Sequence, residues 1–185
     1  MRTLVLLSGG IDSSACVALY SRLSHSVEAM FVDYGQRPAR SEETSARAIA
    51  RHYKIAFHKV SCAGPRTDFR GEIAGRNAFL ILSALLFRPQ SAGLISLGIH
   101  AGTPYYDCTE LFAQQIGKIL DTYSDGRLAL GTPFLSWRKD RIWAFCKEND
   151  VPVAMTWSCE VGPARPCGKC LSCIDRKALY ACSPH

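Results

Sequence analysis

Short apolar runs alternate with segments of helical spacing along this chain, and that rhythm restricts its fold more than any other feature. Thr3–Leu7, Val27–Asp33, Ala56–Ser61, Leu94–Ile99 and Leu128–Pro133 read as strands. Asp12–Leu23, Ser41–Tyr53, Asn77–Phe87, Thr109–Thr122 and Lys139–Glu148 read as helices; in the second, Ala46, Ile49, Ala50 and Tyr53 recur at three- and four-residue spacing. Ala63–Gly75 carries glycine, proline and charge and reads as a loop. A strand–helix–strand rhythm calls for a parallel sheet with right-handed crossovers. The expected fold is therefore α/β, a parallel five-stranded sheet with helices on both faces. Ligands in such sheets collect at the carboxyl ends of the strands, near the point where strand order reverses. Those ends are Ser8, Asp33, Ile99–His100 and Pro133.

No internal repeat, low-complexity segment or linker interrupts the pattern, and 185 residues suit one domain, 1–185, with 156–185 as a C-terminal extension. With 48% hydrophobic and 21% charged residues, composition excludes a disordered chain. No apolar run approaches the roughly 18 residues of a membrane span. Leu4–Leu7 is too short for a signal sequence and runs straight into Ser8-Gly9-Gly10, so a soluble, cytoplasmic protein with no membrane partner is expected. The net charge of +6 suits an anionic ligand such as a nucleotide, or weak contact with nucleic acid.

Leu4-Val5-Leu6-Leu7-Ser8-Gly9-Gly10-Ile11-Asp12-Ser13-Ser14 joins a strand, a glycine turn and a helix start. Glycines allow positive φ and close backbone approach. Free N–H groups and the positive end of the helix dipole then face one point, which suits phosphate. Ser8, Ser13 and Ser14 can add hydroxyl donors; alternatively, Asp12 and Ser13 serve only as helix caps. The stretch has neither the P-loop nor the Gly-x-Gly-x-x-Gly spacing.

Nine cysteines, an odd count, argue against a disulfide framework. Cys159, Cys167, Cys170 and Cys173 fall within fifteen residues and can close a tetrahedral four-sulfur zinc site, with Lys169, Arg165 and Arg176 offsetting its charge. A redox Cys-x-x-Cys pair and an iron–sulfur cluster fit the same ligands. Cys16, Cys62, Cys146 and Cys182 have no matching spacing and read as small buried hydrophobes. Ile174–Tyr180 is expected to form a short helix that packs the metal lobe against the sheet.

The segment Ser8-Gly9-Gly10-Ile11-Asp12-Ser13-Ser14 resembles the pyrophosphate loop of the PP-loop ATPases, which split ATP between its α and β phosphates. Phe31-Val32-Asp33-Tyr34-Gly35-Gln36-Arg37, Gly75-Arg76-Asn77, Tyr106-Asp107-Cys108 and Thr156-Trp157-Ser158-Cys159 follow in the order seen in the QueC family of 7-cyano-7-deazaguanine synthases, over nearly the whole chain. That resemblance implies an ATP-dependent ligase. It adenylates 7-carboxy-7-deazaguanine, forms an amide with ammonia and dehydrates the amide to a nitrile, as in queuosine biosynthesis. It implies structural Zn2+, Mg2+ accompanying ATP, and Ser8, Asp12 and Lys139 as catalytic groups. ATP would contact Leu7, Ser8, Gly9, Gly10, Asp12, Ser13, Ser14, Val32, Asp33, Gly98 and Lys139. The deazapurine would contact Tyr34, Gln36, Arg37, Arg76, Asn77 and Asp107.

Several of these residues have physical readings of their own. Asp33 can accept from a ribose hydroxyl or hold a turn. Gly98 leaves room for adenine or for strand packing. Arg76 offers a fork to phosphate or carboxylate. Asn77 caps a helix or meets ligand. Lys139 meets phosphate as a point charge or stays solvated. Asp107 can accept from a guanine-like edge or belong to the loop. His52 and His58 read as structural or exposed; His100 can line the pocket.

The chain departs from the family by its shortness. Gly98–Cys108 is abbreviated, Ala63–Gly75 is compact, and Pro38 stands where the family usually has histidine. A more open pocket can admit a larger amine and stop at an amide conjugate, even with a protein. A tRNA thiolase would need a second cysteine pair and an RNA-binding extension, and a zinc module without enzymatic activity would leave the glycine loop unexplained. Small molecules are thus the expected partners, nucleic acid is not, and a homodimer is compatible with the sequence.

Overall fold

The computed structural model describes residues 1–62, 64, 73–162 and 164–181. Five strands, β1 (Arg2–Leu6), β2 (Ser26–Asp33), β3 (Ala56–Ser61), β4 (Leu94–Ser96) and β5 (Ala129–Gly131), form one sheet in the order β3-β2-β1-β4-β5, every pair parallel. The helices are α1 (Ile11–Arg22), α2 (Ala39–His52), α3 (Arg76–Phe87), α4 (Glu110–Ser124), α5 (Lys139–Glu148) and α6 (Leu171–Ala181). The α/β fold expected from the sequence is the one observed. The order reverses at β1: α1 and α2 lead outward to β3, and the chain then crosses back through α3 to β4 on the other side of β1. The crevice between the carboxyl ends of β1 and β4 is the place where such sheets bind ligands.

β1 is buried on both faces, which is why it reads as an unbroken apolar run. Val5 and Leu7 join the core beneath α1, α2 and α5, with Ala15, Val17, Ile49, Ile142 and Trp143. Leu4 and Leu6 join the core beneath α3 and α4, with Ile81, Ile95, Phe112 and Leu120. In α1 every residue from Ser13 to Ala18 is buried, because the helix is enclosed between the sheet and α5.

Most boundaries lie within two residues of the sequence expectation, and α5 matches it. β4 and β5 are shorter than expected. β4 leaves the sheet after Ser96 because the chain must pass over the start of α1: a Cβ on Gly98 would lie 2.8 Å from the Asp12 carbonyl carbon. Leu97 still donates to the Gly131 carbonyl at 3.0 Å, while Pro133 has no N–H to continue a ladder. Thr109 caps α4 by accepting from the Phe112 N–H at 3.2 Å, and Asp125 ends that helix in the left-handed region, φ 51°.

α6 is longer than its sequence signal and is fastened to α5, with the Tyr180 and Trp143 rings 4.9 Å apart; the cysteine lobe thus reaches the sheet through α5. Cys16 and Cys146 are buried as expected, Cys62 is only half-buried, and Cys182 lies outside the described residues, as does most of the loop from 63 to 72. His52 is exposed, and His58 pairs with Glu28 at 2.6 Å, the structural reading of both.

The two glycines Gly98 and Gly117 make opposite demands. Gly98→Ala is expected to lose about 1–3 kcal/mol of stability by overpacking against the α1 backbone. Gly117 lies inside α4 with nothing within 4 Å of its Cβ position, so Gly117→Ala should gain up to about 1 kcal/mol. Urea denaturation of the two variants beside wild type measures both signs.

Candidate active site and cysteine centre

The turn out of β1 is made by Gly9 at φ 81°, where a Cβ would stand 2.5 Å from the Glu42 carbonyl oxygen and 2.9 Å from the Ala46 nitrogen. Both conformation and space therefore require glycine. Gly10 occupies the N-cap of α1, and no side chain caps the helix. Uncapped first-turn amides, here those of Ile11, Asp12 and Ser13, are where helices take anions. The serines divide. Ser13 and Ser14 donate to the Gly10 carbonyl at 3.1 and 2.8 Å and are buried, so their hydroxyls brace the turn from inside. Ser8 is exposed and lies 3.1 Å from the Ser13 hydroxyl.

Asp12 does not cap the helix. Its Oδ2 accepts from the Lys139 ammonium, which arrives on the first turn of α5, and its Oδ1 is buried with no partner among the described residues. His100 Nε2 stands 4.0 Å from the same Oδ2. Three elements, α1, the segment after β4 and α5, thereby bring Asp12, His100 and Lys139 together at the crevice.

A second cluster lies beyond β2. Asp33 Oδ1 accepts from the Gly35 N–H at 3.1 Å, and its Oδ2 is 3.4 Å from the Lys59 ammonium, so it holds the turn. Val32 has its side chain in the core and its carbonyl on Gln36 Nε2 at 3.3 Å. Gln36 accepts from the Tyr34 N–H at 2.9 Å and donates to Glu42 Oε2 at 2.9 Å, so Nε2 and Oε1 both have protein partners. Tyr34 meets Phe79 edge-on at 6.3 Å, and burial raises its pKa, against the lowering influence of Arg76. Arg37 is exposed on the turn. Asp107 takes the capping role at α3: it accepts from the Asn77 N–H at 3.1 Å, while Asn77 donates from Nδ2 to the Asp107 carbonyl at 3.0 Å. Arg76 Nε donates to Asn77 Oδ1 at 3.2 Å.

Glu42 was not singled out by sequence. An acid in the first turn of α2 looks like a complement to the helix dipole. Burial instead raises its pKa from 4.5 to about 6, partly offset by Gln36 and by the Arg76 charge.

The four cysteines converge: all four Sγ atoms lie within 4.8 Å of one another. A tetrahedral ion about 2.3 Å from each sulfur needs S···S separations of about 3.8 Å, so the donor set fits one metal ion. The backbone is already arranged for thiolates. Cys159 Sγ accepts from the Gly162 and Cys167 N–H groups at 3.1 and 3.3 Å; Cys167 Sγ accepts from those of Lys169 and Cys170 at 3.4 and 3.3 Å. Burial resists ionisation of Cys159, yet these donors outweigh it and the pKa falls; Cys167 falls to about 6. Burial pushes Cys173 up to about 12, the position a bound cation would reverse. Arg176 does not face the sulfurs. Its guanidinium donates to the Thr156 and Val153 carbonyls at 3.0 and 2.9 Å and to the Thr156 hydroxyl at 2.8 Å, which clamps the single 3-10 turn Val153–Met155 and the segment leading from it to Cys159. That segment meets the glycine loop directly, Trp157 N–H to Gly9 carbonyl, 2.8 Å.

A glycine loop at the β1/β4 crevice, a lysine on its aspartate and a four-cysteine lobe bonded to the loop are the features against which relatives can be compared. The profile of the family described as "Queuosine biosynthesis protein QueC" matches residues 2–67 and 66–183. The chain belongs to the QueC family. The 7-cyano-7-deazaguanine synthase of Prochlorococcus marinus (strain MIT 9312) is 32% identical over 206 residues, covering 95% of this chain and 92% of its own length. That of Methanosphaerula palustris is 32% identical over 209 residues, covering 98% and 95%. Both alignments exceed the 185 residues of the chain, as its shortness requires.

Solved structures share the fold at low identity. The U34-tRNA thiolase NcsA from Methanococcus maripaludis, with its [4Fe-4S] cluster, superposes with a TM-score of 0.59 at 13% identity, over 98% of this chain and 64% of that one. The NH3-dependent NAD synthetase from Campylobacter jejuni gives 0.52 at 16%, over 83% and 66%. Among the described residues no helix is long and apolar enough to cross a membrane.

Glu42 sets a pH dependence of stability. A carboxyl whose pKa rises on folding binds more protons folded than unfolded between pH 4.5 and about 6, so stability falls as pH rises through that window. Glu42→Gln removes the fall while keeping an acceptor for Gln36. The variant should gain up to about 2 kcal/mol on wild type at pH 8 and much less at pH 4.5, measured by urea denaturation at both pH values.

Proposed function

We propose that this chain is an ATP-dependent carbon–nitrogen ligase that converts 7-carboxy-7-deazaguanine and ammonia to 7-cyano-7-deazaguanine, acting in the cytoplasm. The observation that carries the reading is Lys139: its ammonium, 127 positions along the chain, rests on the aspartate of the glycine loop. A cation beside the uncapped start of α1 at the strand-order reversal is the equipment needed to hold a pyrophosphate leaving group. The names of the relatives supply the substrate class.

In this reading MgATP is the substrate complex. The amides of Ile11, Asp12 and Ser13 and the Ser8 hydroxyl hold the β and γ phosphates, and Lys139 turns from Asp12 to meet their charge. Asp33 faces the ribose through a lone pair left by its Gly35 bond. Arg76 faces the carboxylate, held in place by Asn77, which Asp107 anchors. Tyr34, Gln36 and Arg37 border the deazapurine. A carboxylate oxygen attacks the α phosphorus, and pyrophosphate leaves. Ammonia attacks the acyl carbon, AMP leaves and a proton is lost, giving the amide. The amide oxygen is activated by a second ATP in the same way; loss of AMP and of the nitrogen-bound protons leaves the nitrile. Zn2+ in Cys159, Cys167, Cys170 and Cys173 would have a structural part, closing the lobe that supports Gly9 through Trp157.

Incubation with ATP, Mg2+, 7-carboxy-7-deazaguanine and ammonium, with products read by mass spectrometry, should give nitrile and AMP. Lys139→Ala should lower kcat by about a hundred- to a thousandfold. Metal analysis of the same preparation should give one zinc per chain. Amide with no nitrile would limit the enzyme to the first ligation, and absence of AMP with this substrate would overturn the assignment.

A further inference from the structure

Lys139 cannot neutralise two anions at once. Its ammonium rests on Asp12 Oδ2, and the function proposed above requires it on phosphate. Once it turns away, the Asp12 carboxylate faces the incoming phosphates with Oδ1 buried and without a partner among the described residues. A half-buried carboxylate that loses its ammonium partner needs another donor in its place, whatever share of the phosphate charge Mg2+ carries.

Among the described residues, one other side-chain nitrogen stands near this carboxylate. His100 Nε2 lies 4.0 Å from Asp12 Oδ2, about 1 Å beyond hydrogen-bond length. The tautomer of His100 is fixed by its own loop: Nδ1 accepts from the Gly102 N–H at 3.0 Å, so the ring proton of the neutral imidazole sits on Nε2. A second proton has no place to go while Gly102 donates to Nδ1. The surrounding charges are Asp12 on α1, Lys139 on α5 and Asp175 on α6. Burial, with Lys139 adding to it, lowers the His100 pKa despite the two carboxylates, in keeping with a ring that stays neutral. With Nδ1 held by Gly102, the Nε2–H is the proton His100 has to offer toward Asp12.

We propose that His100 is a positioning residue that takes over the Asp12 carboxylate through its neutral Nε2–H when Lys139 moves to the phosphates. The inference rests on the glycine loop being a phosphate site. It adds a transfer of Asp12 from one donor to another, which neither the relatives nor the loop sequence assigns.

The test uses the full chain, labelled with 15N-histidine and titrated with pyrophosphate. The two ring nitrogens should report the Nε2–H tautomer before and after binding, with the Nε2 proton moving downfield as its bond to Asp12 forms. His100→Gln, which keeps an N–H donor, should bind pyrophosphate within about threefold of wild type. His100→Leu, similar in bulk with no donor, should bind about ten- to a hundredfold more weakly, the loss of one hydrogen bond to a charged group. Doubly protonated His100 in the complex, an unmoved Nε2 signal, or a folded His100→Leu that binds like wild type would each overturn the proposal. The histidine signals decide the question even if His100→Leu does not fold. Wild-type protein that fails to bind pyrophosphate would instead overturn the phosphate site itself, and this inference with it.

Discussion

Gly9 is the point on which the site depends. Its left-handed φ turns the chain out of β1, and its missing side chain lets α2 press its backbone to 2.5 Å from where a Cβ would be. Its carbonyl accepts the Trp157 N–H at 2.8 Å. One residue therefore joins the central strand, the helix that starts uncapped, the helix that carries Glu42 and the cysteine lobe. Any side chain here would have to separate at least two of them.

That arrangement gives the cysteine centre a physical connection to the chemistry. The segment from Val153 to Cys159 makes that connection, clamped by Arg176 and bonded to Gly9 through Trp157. A metal ion that draws Cys159, Cys167, Cys170 and Cys173 together fixes the end of that segment, and so the back of the glycine loop. On the front, Gly98 lies against the backbone of Asp12, and Lys139 and His100 approach its carboxylate from separate elements. The loop is thus held by long-range contacts from every side, which suits a site whose ligand brings several negative charges.

Much of this could be read from the sequence, for reasons that differ along the chain. β1 and its glycine turn were legible because a buried parallel strand is uniformly apolar and glycine marks the turn. The cysteine cluster was legible because its ligands are close in sequence. α5 was found at its true limits, with Lys139 at its start. The ends of β4 and β5 were not found, because the approach of Gly98 to α1 leaves no local pattern. The partners of Ser13, Ser14, Gln36 and Asp107 were also hidden. Residue type announces a donor or acceptor, and only the fold shows that these face other parts of the protein. The burial that raises the Glu42 pKa and the approach of His100 to Asp12, 88 positions away along the chain, likewise leave no local pattern.

Adenylation of a carboxylate on this glycine loop would be recorded in the oxygen atoms of the AMP released. 7-Carboxy-7-deazaguanine labelled with 18O in its carboxylate would be incubated with ATP, Mg2+ and ammonium, and the AMP analysed by mass spectrometry. Attack of the carboxylate on the α phosphorus predicts AMP carrying one 18O from the substrate. Unlabelled AMP, or ADP in its place, would mean that water or another phosphorus is the site of reaction and would contradict the account.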